Sequence, residues 1–296
     1  MRSGRGEAVA LTGVGRPQVA WSRWARWARQ HPEGLVGGLV VLGFALLAVV
    51  APLVVPYPPK ATNFAPYLPP SGAHPLGTDP LGRDILSRAL WGTRVAFLVG
   101  VLSVAGGVGV GGMLGMVLPF CGRLADMLTQ RVVDILMGLP AVILALALMA
   151  ILGGKVSTAI IAIAVVLVPA SWRTVRSATL EVLARPYIEA ARAVGCGPIR
   201  MVLFYLLPNV APVFLILMSV NIGYAVVLEA SLSFLGVGLP PDEPSWGSMI
   251  AGGVPVLERY PWVSLLPALV LSLFVLSINL VGDAIRDTLD PRLRGR

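Results

Sequence analysis

Apolar positions fall in long uninterrupted runs, with charged positions gathered between them. A hydrocarbon core of about 30 Å needs ~20 helical residues without charge. Stretches free of Asp, Glu, Lys and Arg occur at residues 34–59, 95–122, 135–154, 156–172, 201–228 and 260–282. This pattern predicts an all-α membrane protein with six transmembrane helices. The fourth stretch is short, and Lys155 and Arg173 at its ends can extend their stems to the interfaces. The second holds Gly106, Gly107, Gly109, Gly111, Gly112 and Gly115. In lipid, small residues let helix backbones approach closely, so the run reads as tight helix packing rather than flexibility.

These spans divide the chain into a tail at 1–33, a first helix at 34–59, a loop at 60–94, a five-helix core at 95–282 and a second tail at 283–296. The core includes a polar loop at 173–207. The loop before the second span opens with prolines and cannot cross. Asp79 suits an N-cap, with Pro80 at the first helical position. Leu81, Ile85, Ala89 and Leu90 share a face, and Gly92 can end the helix. A short amphipathic helix on the outer surface is therefore expected, with Asp79, Arg83, Asp84 and Arg88 as its charged positions. Asp84 and Arg88 are spaced to pair, a contact worth roughly 0.2–0.5 kcal/mol.

Composition agrees with this reading. The chain is 56% hydrophobic and 13% charged, where soluble domains average about 25% charged. A net charge of +8 would permit a nucleic-acid surface, but the basic residues alternate between loops. Of 23 Lys and Arg residues, 17 lie in the tails and in the loops after the second and fourth spans. The other six are Lys60, Arg83, Arg88, Arg94, Lys155 and Arg259. By the positive-inside rule both termini are cytoplasmic, and nucleic acid is not the partner. Two cysteines and two histidines provide neither a disulfide framework nor a metal site. The first 34 residues do not read as a cleaved signal, because the apolar stretch that follows is too long. Trp21, Trp24 and Trp27 alternate with Arg23, Arg26 and Arg29, which suits a helix on the inner leaflet or a disordered basic tail.

The loop between the fourth and fifth spans carries the most information. Pro186 can start a helix, and Ile188, Ala191 and Val194 would form one apolar strip. Gly195 can stop it with a left-handed cap, and Gly197-Pro198 forces a turn into a second helix. A slim helix facing the cytoplasm suits a groove on another protein. The alternative is a helix packed back on its own membrane domain. Elsewhere, Glu229 ends a span and needs a partner: it either lines a translocation cavity or holds a neighbouring arginine. Asp134, Ser219, Asn221, Ser231, Ser272, Ser277 and Asn279 are further path candidates. For most of them helix–helix hydrogen bonding is the preferred reading.

Glu189-Ala190-Ala191, then Gly195 after three residues, then Leu207-Pro208, resembles the EAA loop of ABC importer permeases. Tyr205 stands where that pattern has isoleucine. Other segments resemble the C-type permease of dipeptide, oligopeptide and nickel transporters. They are His74-Pro75-Leu76-Gly77-Thr78-Asp79, Gly82-Arg83-Asp84, Arg131 to Asp134, Glu229 to Gly236, Pro244 to Gly247 and Asn279 to Asp283. The resemblance runs from about residue 30 onward. It departs at Pro119 to Arg123, where relatives have Gly-Tyr and further glycines.

The resemblance implies a type I ABC importer permease fold, with Glu189, Ala190, Ala191, Arg192, Gly195, Leu207 and Pro208 coupling to an ATPase. It implies a heterodimer with a related permease, two ATPase subunits and an external substrate-binding protein. ATP and magnesium would sit in those partners, for the chain has no phosphate loop: Gly153-Gly154-Lys155 is followed by Val156. Peptides lead as substrates, with nickel, other chelates and oligosaccharides as alternatives. A secondary transporter would instead show inverted repeats and intramembrane charge pairs. An enzyme would need a catalytic constellation, and a scaffold would carry no transport.

Overall fold

A computed structural model describes residues 31–289. The proposed helix from Trp21 and the far C-terminal tail lie outside the described residues. Five helices are long and apolar enough to cross a membrane, or six if one bent pair counts as a single span.

Helix α1 is Pro32–Val54. It stops before Pro56, five residues short of the expected end, because Pro56, Pro58 and Pro59 cannot continue it. Helix α2, Ile85–Val117, is the second span. The expected outer helix from Pro80 to Gly92 is not a separate element. Gly82 sits at φ +70°, and Thr78 bridges Asp84, so residues 78–84 form a closed turn. Asp84, not Asp79, is the N-cap, accepting from the Ser87 amide. Gly92 lies inside α2, where its missing side chain makes room for Trp246: an added Cβ would stand 3.0 Å from the indole nitrogen.

The third span is broken. Helices α3, Arg123–Met137, and α4, Ala141–Leu152, meet at 94°. Pro140 lacks an N–H and disfavours helical geometry at Leu139, which separates the two. Only α4 continues the expected 135–154 span. Helix α5, Val156–Leu183, runs past the expected end at Trp172. Helices α6, Pro186–Ala193, and α7, Pro198–Met201, follow. One π-turn, Val202–Leu206, leads into α8, Leu207–Phe234. Pro208 cannot donate to the preceding turn, and the Asn209 side chain instead donates to the Tyr205 carbonyl at 2.7 Å. Helix α9, Trp246–Gly253, lies in what reads by sequence as loop, and α10 is Trp262–Leu289.

The tightest packing is α2 on α5. Ser103, Gly107, Gly111 and Gly115 repeat every four residues along one face of α2. The Ser103 hydroxyl donates to the Ile160 carbonyl. Added Cβ atoms at the three glycines would stand 2.5 Å from Ala164 O, 2.5 Å from Val168 O and 2.8 Å from Trp172 O. Not every glycine serves this: Gly109 meets nothing within 4 Å.

A central core joins α2, α4, α5 and α8 through Val99, Val104, Ala145, Ile163, Leu167 and Leu228. Near Trp246 a second core sets Phe44 and Phe274 edge-on to that indole, whose N–H donates to the Ala89 carbonyl at 3.0 Å. A third lies around Ile188. Large apolar side chains cover the outside, with Leu53 of α1 85% exposed. Lipid is as apolar as leucine, so such a surface is ordinary for a membrane protein.

Candidate functional site

The extension of α5 beyond Trp172 positions α6. Arg173 and Arg176 lie on that extension and bind α3: Arg173 donates to Asp134 at 2.7 Å, and Arg176 forks onto both oxygens of Asp126. The Arg176 guanidinium also stands 5.5 Å from the centre of the Trp172 ring. After Leu183 the chain turns, and Pro186 opens α6 at a position where its missing N–H costs nothing.

Ile188 is fully buried and Ala191 nearly so, in a core with Val175, Val182, Met201, Leu206 and Val210. This corrects the expected strip of Ile188, Ala191 and Val194 as one docking face. Two of its members anchor α6 to its own domain, because apolar residues of α5 and of the π-turn meet them there. Val194, at 85% exposure, points away. The free face is Glu189, Ala190, Arg192, Ala193 and Val194, a thin surface with one charge of each sign.

A two-bond Schellman cap ends α6. The Cys196 amide donates to the Ala191 carbonyl at 3.0 Å, and the Gly195 amide to the Arg192 carbonyl at 2.9 Å. Gly195 has φ +80°, a conformation that side chains other than Asn or Asp rarely adopt. Tyr205, at the isoleucine position of the resembled pattern, stacks on Tyr187 of α6 with ring centres 6.5 Å apart. The two tyrosines are 18 residues apart, so no local spacing announces the pair. Leu207 and Pro208 are exposed at the start of α8, beyond the π-turn. Glu189, Ala190, Arg192 and Gly195 are exposed on α6 and its cap.

At the bend between α3 and α4 lies a cavity of about 460 Å³, lined by Leu136, Met137, Leu144, Pro169, Asn221 and Tyr224 among others. Of the eight path candidates, Asn221 alone lines it. Its amide donates to the Leu217 carbonyl. Asp134 is tied to Arg173 and Gln130. Ser219, Ser231 and Ser277 donate to carbonyls of their own helices. Asn279 packs against Gly223, and Ser272 is exposed. Glu229 is 3% exposed, accepts from the Ser233 hydroxyl at 2.7 Å and has Ser245 close by. It thus pins α8 to the start of α9. Glu229→Leu is expected to lower stability by roughly 1–3 kcal/mol, since it removes the buried partner of Ser233. Glu229→Gln should keep most of that stability. Thermal unfolding of the detergent-purified protein distinguishes the two.

At the opposite end, the charged residues are placed differently from the expected pairing. Asp84 does not bind Arg88. It accepts from the Ser87 amide and hydroxyl and lies 2.9 Å from His74 Nδ1. Asp79 takes the Arg83 guanidinium at 2.6 Å, and Arg83 reaches the Pro241 carbonyl. Arg88 is 1% exposed, donates to the Pro59 carbonyl and stands 3.9 Å from Asp79. Lys60 binds Asp242 and Glu243 at 2.9 and 2.7 Å, closing residues 57–84 onto the segment before α9. The Lys60 ammonium holds the Asp242 carboxyl below its ordinary range.

Membrane-length helices, one broken span and an exposed helix–turn–helix mark an integral-membrane protein. Residues 107–295 match the model of the binding-protein-dependent transport system inner membrane component, and residues 20–70 match the N-terminal transmembrane domain of oligopeptide transport permease C. The dipeptide transport system permease protein DppC of Alkalihalophilus pseudofirmus is 35% identical over 93% of this chain and 90% of its own length. The di/tripeptide permease DppC of Pseudomonas aeruginosa is 39% identical, over 89% of this chain and 90% of its own. The glutathione permease GsiD of Pectobacterium atrosepticum is 38% identical, over 90% of this chain and 89% of its own. An inward-facing form of the MetNI methionine ABC transporter superposes with a TM-score of 0.52 at 23% identity, covering 69% of this chain and 93% of that one. That likeness shows a shared fold. The chain belongs to the family of binding-protein-dependent transport system inner membrane components, the permease subunits of ABC importers. Membership implies ATPase and substrate-binding partners in general terms.

Proposed function

We propose that this permease carries short peptides by alternating access, driven through α6 by separate ATPase subunits. The observation that carries the reading is the division of α6 into two faces. Ile188 and Ala191 fix it to α5 and the π-turn, so a force on the helix is passed to the spans. Glu189, Ala190, Ala193 and Val194 remain free for a partner. Two related permeases would pair, each presenting one such helix to one of two ATPases. Closure of the ATPases on ATP would then move the helical bodies as rigid units and reverse the opening of the path. ATP and magnesium act in those partners.

The distribution of Lys and Arg supports cytoplasmic termini and a cytoplasmic α6, in the inner membrane. Residues 57–84 and α9 then face outward, where a substrate-binding protein would dock. Asn221 and Tyr224 are the polar groups of the cavity proposed to line the path. Peptide as substrate is supported by the dipeptide and di/tripeptide permeases among the relatives.

Two measurements test this. In proteoliposomes holding this chain with its partner permease, ATPases and binding protein, dipeptide uptake should require ATP. Uptake without ATP would overturn the reading. In the same assembly, Ala193→Cys should form a disulfide with a cysteine in the ATPase cleft, and no crosslink at any ATP state would refute the docking of α6.

A further inference from the structure

The amphipathic helix α3 has a polar side whose two carboxylates are paired and an apolar side with no cover. Asp126 and Asp134 face α5 and are neutralised by Arg176 and Arg173. Val133 is the buried residue of α3, on that same side. On the opposite side Leu124, Leu128 and Ile135 are 65%, 55% and 70% exposed. At helical spacing these three fall on one stripe, flanked by Met127 and Val132.

Three features of the structure say what covers it. Helix α3 is bent 94° from α4, and α4 packs on the membrane-length α5, so α3 lies across the direction of the spans. Beyond the bend, where Leu139 turns into the cavity, Ile143 of α4 is likewise exposed on an apolar membrane-length surface. Finally, Arg131 falls within the stripe by helical angle, and neither it nor Arg123 forms an ion pair among the described residues. An environment with hydrocarbon beneath anionic groups suits both the leucines and the arginine.

We infer that α3 is an interfacial helix whose partner is the anionic lipid surface itself. Leu124, Leu128 and Ile135 enter the acyl boundary, while Arg123 and Arg131 lie at headgroup depth. The Asp126–Arg176 and Asp134–Arg173 pairs hold the other side to α5, the helix that leads into α6. The lipid-seated helix thereby braces the coupling region against the membrane plane. The inference rests on the proposed cytoplasmic side of α6 for the choice of leaflet, and not for the contact with lipid.

The test uses the whole transporter in nanodiscs of phosphatidylethanolamine and phosphatidylglycerol, with Cys121→Ser and Cys196→Ser as background. Nitroxide labels at Leu124→Cys, Leu128→Cys and Ile135→Cys should collide more with oxygen than with a water-soluble nickel chelate. A label at Gln130→Cys should show the reverse. Labels on the stripe that neither reagent reaches would mean that protein covers it, and labels favouring the nickel chelate would mean water; either result overturns the inference. Arg131→Glu should lower the stripe's oxygen preference more in phosphatidylglycerol-rich discs than in neutral ones, and equal behaviour would remove the anionic part of the claim. The leaflet is read separately, from labelling of Ala193→Cys by an impermeant maleimide in inside-out vesicles. Failure of that reading leaves the collision data interpretable.

Discussion

Gly111→Val is expected to prevent accumulation of folded permease, whereas Gly109→Val, two residues away, is tolerated. A Cβ at Gly111 would stand 2.5 Å from the Val168 carbonyl and 3.0 Å from Ser171 Cβ, both on the rigid backbone side of α5. Neither neighbour can turn aside, so α2 and α5 must separate. That separation would also loosen Gly107 and Gly115, which hold the same interface. Overpacking of this kind costs typically ~1–3 kcal/mol and occasionally more. In lipid no hydrophobic drive returns the helices to contact, so close packing has no substitute. At Gly109 a Cβ meets nothing within 4 Å, and valine there only adds apolar surface. Membrane-fraction yield and thermal unfolding of the two variants give the comparison. Equal yields would mean that the α2–α5 contact is not what holds the bundle.

The spans were legible because absence of charge over ~20 residues is a demand of the bilayer rather than a local preference. Helix ends were less so. The charge-free stretch stops at Trp172 because Arg173 follows, yet the helix continues, since Arg173 and Arg176 find Asp134 and Asp126 on α3. Those carboxylates are distant in sequence, so no local pattern reveals the pairing. Asp79 and Asp84 both suit an N-cap by composition. The choice between them was made by the turn at Gly82, whose added Cβ would strike the Phe64 carbonyl, a tertiary contact. Pro140 did lie in view, but a proline inside an apolar run either kinks a helix or breaks it, and the 94° bend belongs to the packing around it. The strip of Ile188, Ala191 and Val194 shows the remaining limit. Periodicity defines a face without naming its partner: Ile188 and Ala191 turned inward because Val175, Val182 and Leu206 offered a core. For Glu229 the apolar context called for a partner, and in place of the expected arginine the structure supplies the Ser233 hydroxyl one turn on.

Gly195→Val is expected to uncouple transport without removing the protein from the membrane, while Gly195→Asn retains most activity. The site has open space, with nothing within 4 Å of an added Cβ, so crowding is not the cause. The cost is conformational: φ is +80°, where an L-residue loses roughly 1–2 kcal/mol and Asn is among the least affected. Valine is branched at Cβ and adapts worst. Relief of that strain requires giving up the bonds from Cys196 to Ala191 and from Gly195 to Arg192. Ala191 is also an anchor of α6, so a frayed cap loosens the helix where it grips the α5 core. A penalty of that size lowers the ratio of capped to uncapped forms by a factor of about 5–30. The α2–α5 contact is distant in kind from this cap, so insertion and yield should stay near wild type. ATP-dependent uptake should fall, by up to that factor, while ATP hydrolysis by the assembled complex falls less. Normal uptake in Gly195→Val would show that α6 transmits no force. Equal loss in Gly195→Val and Gly195→Asn would point instead to a need for a bare backbone at the partner surface.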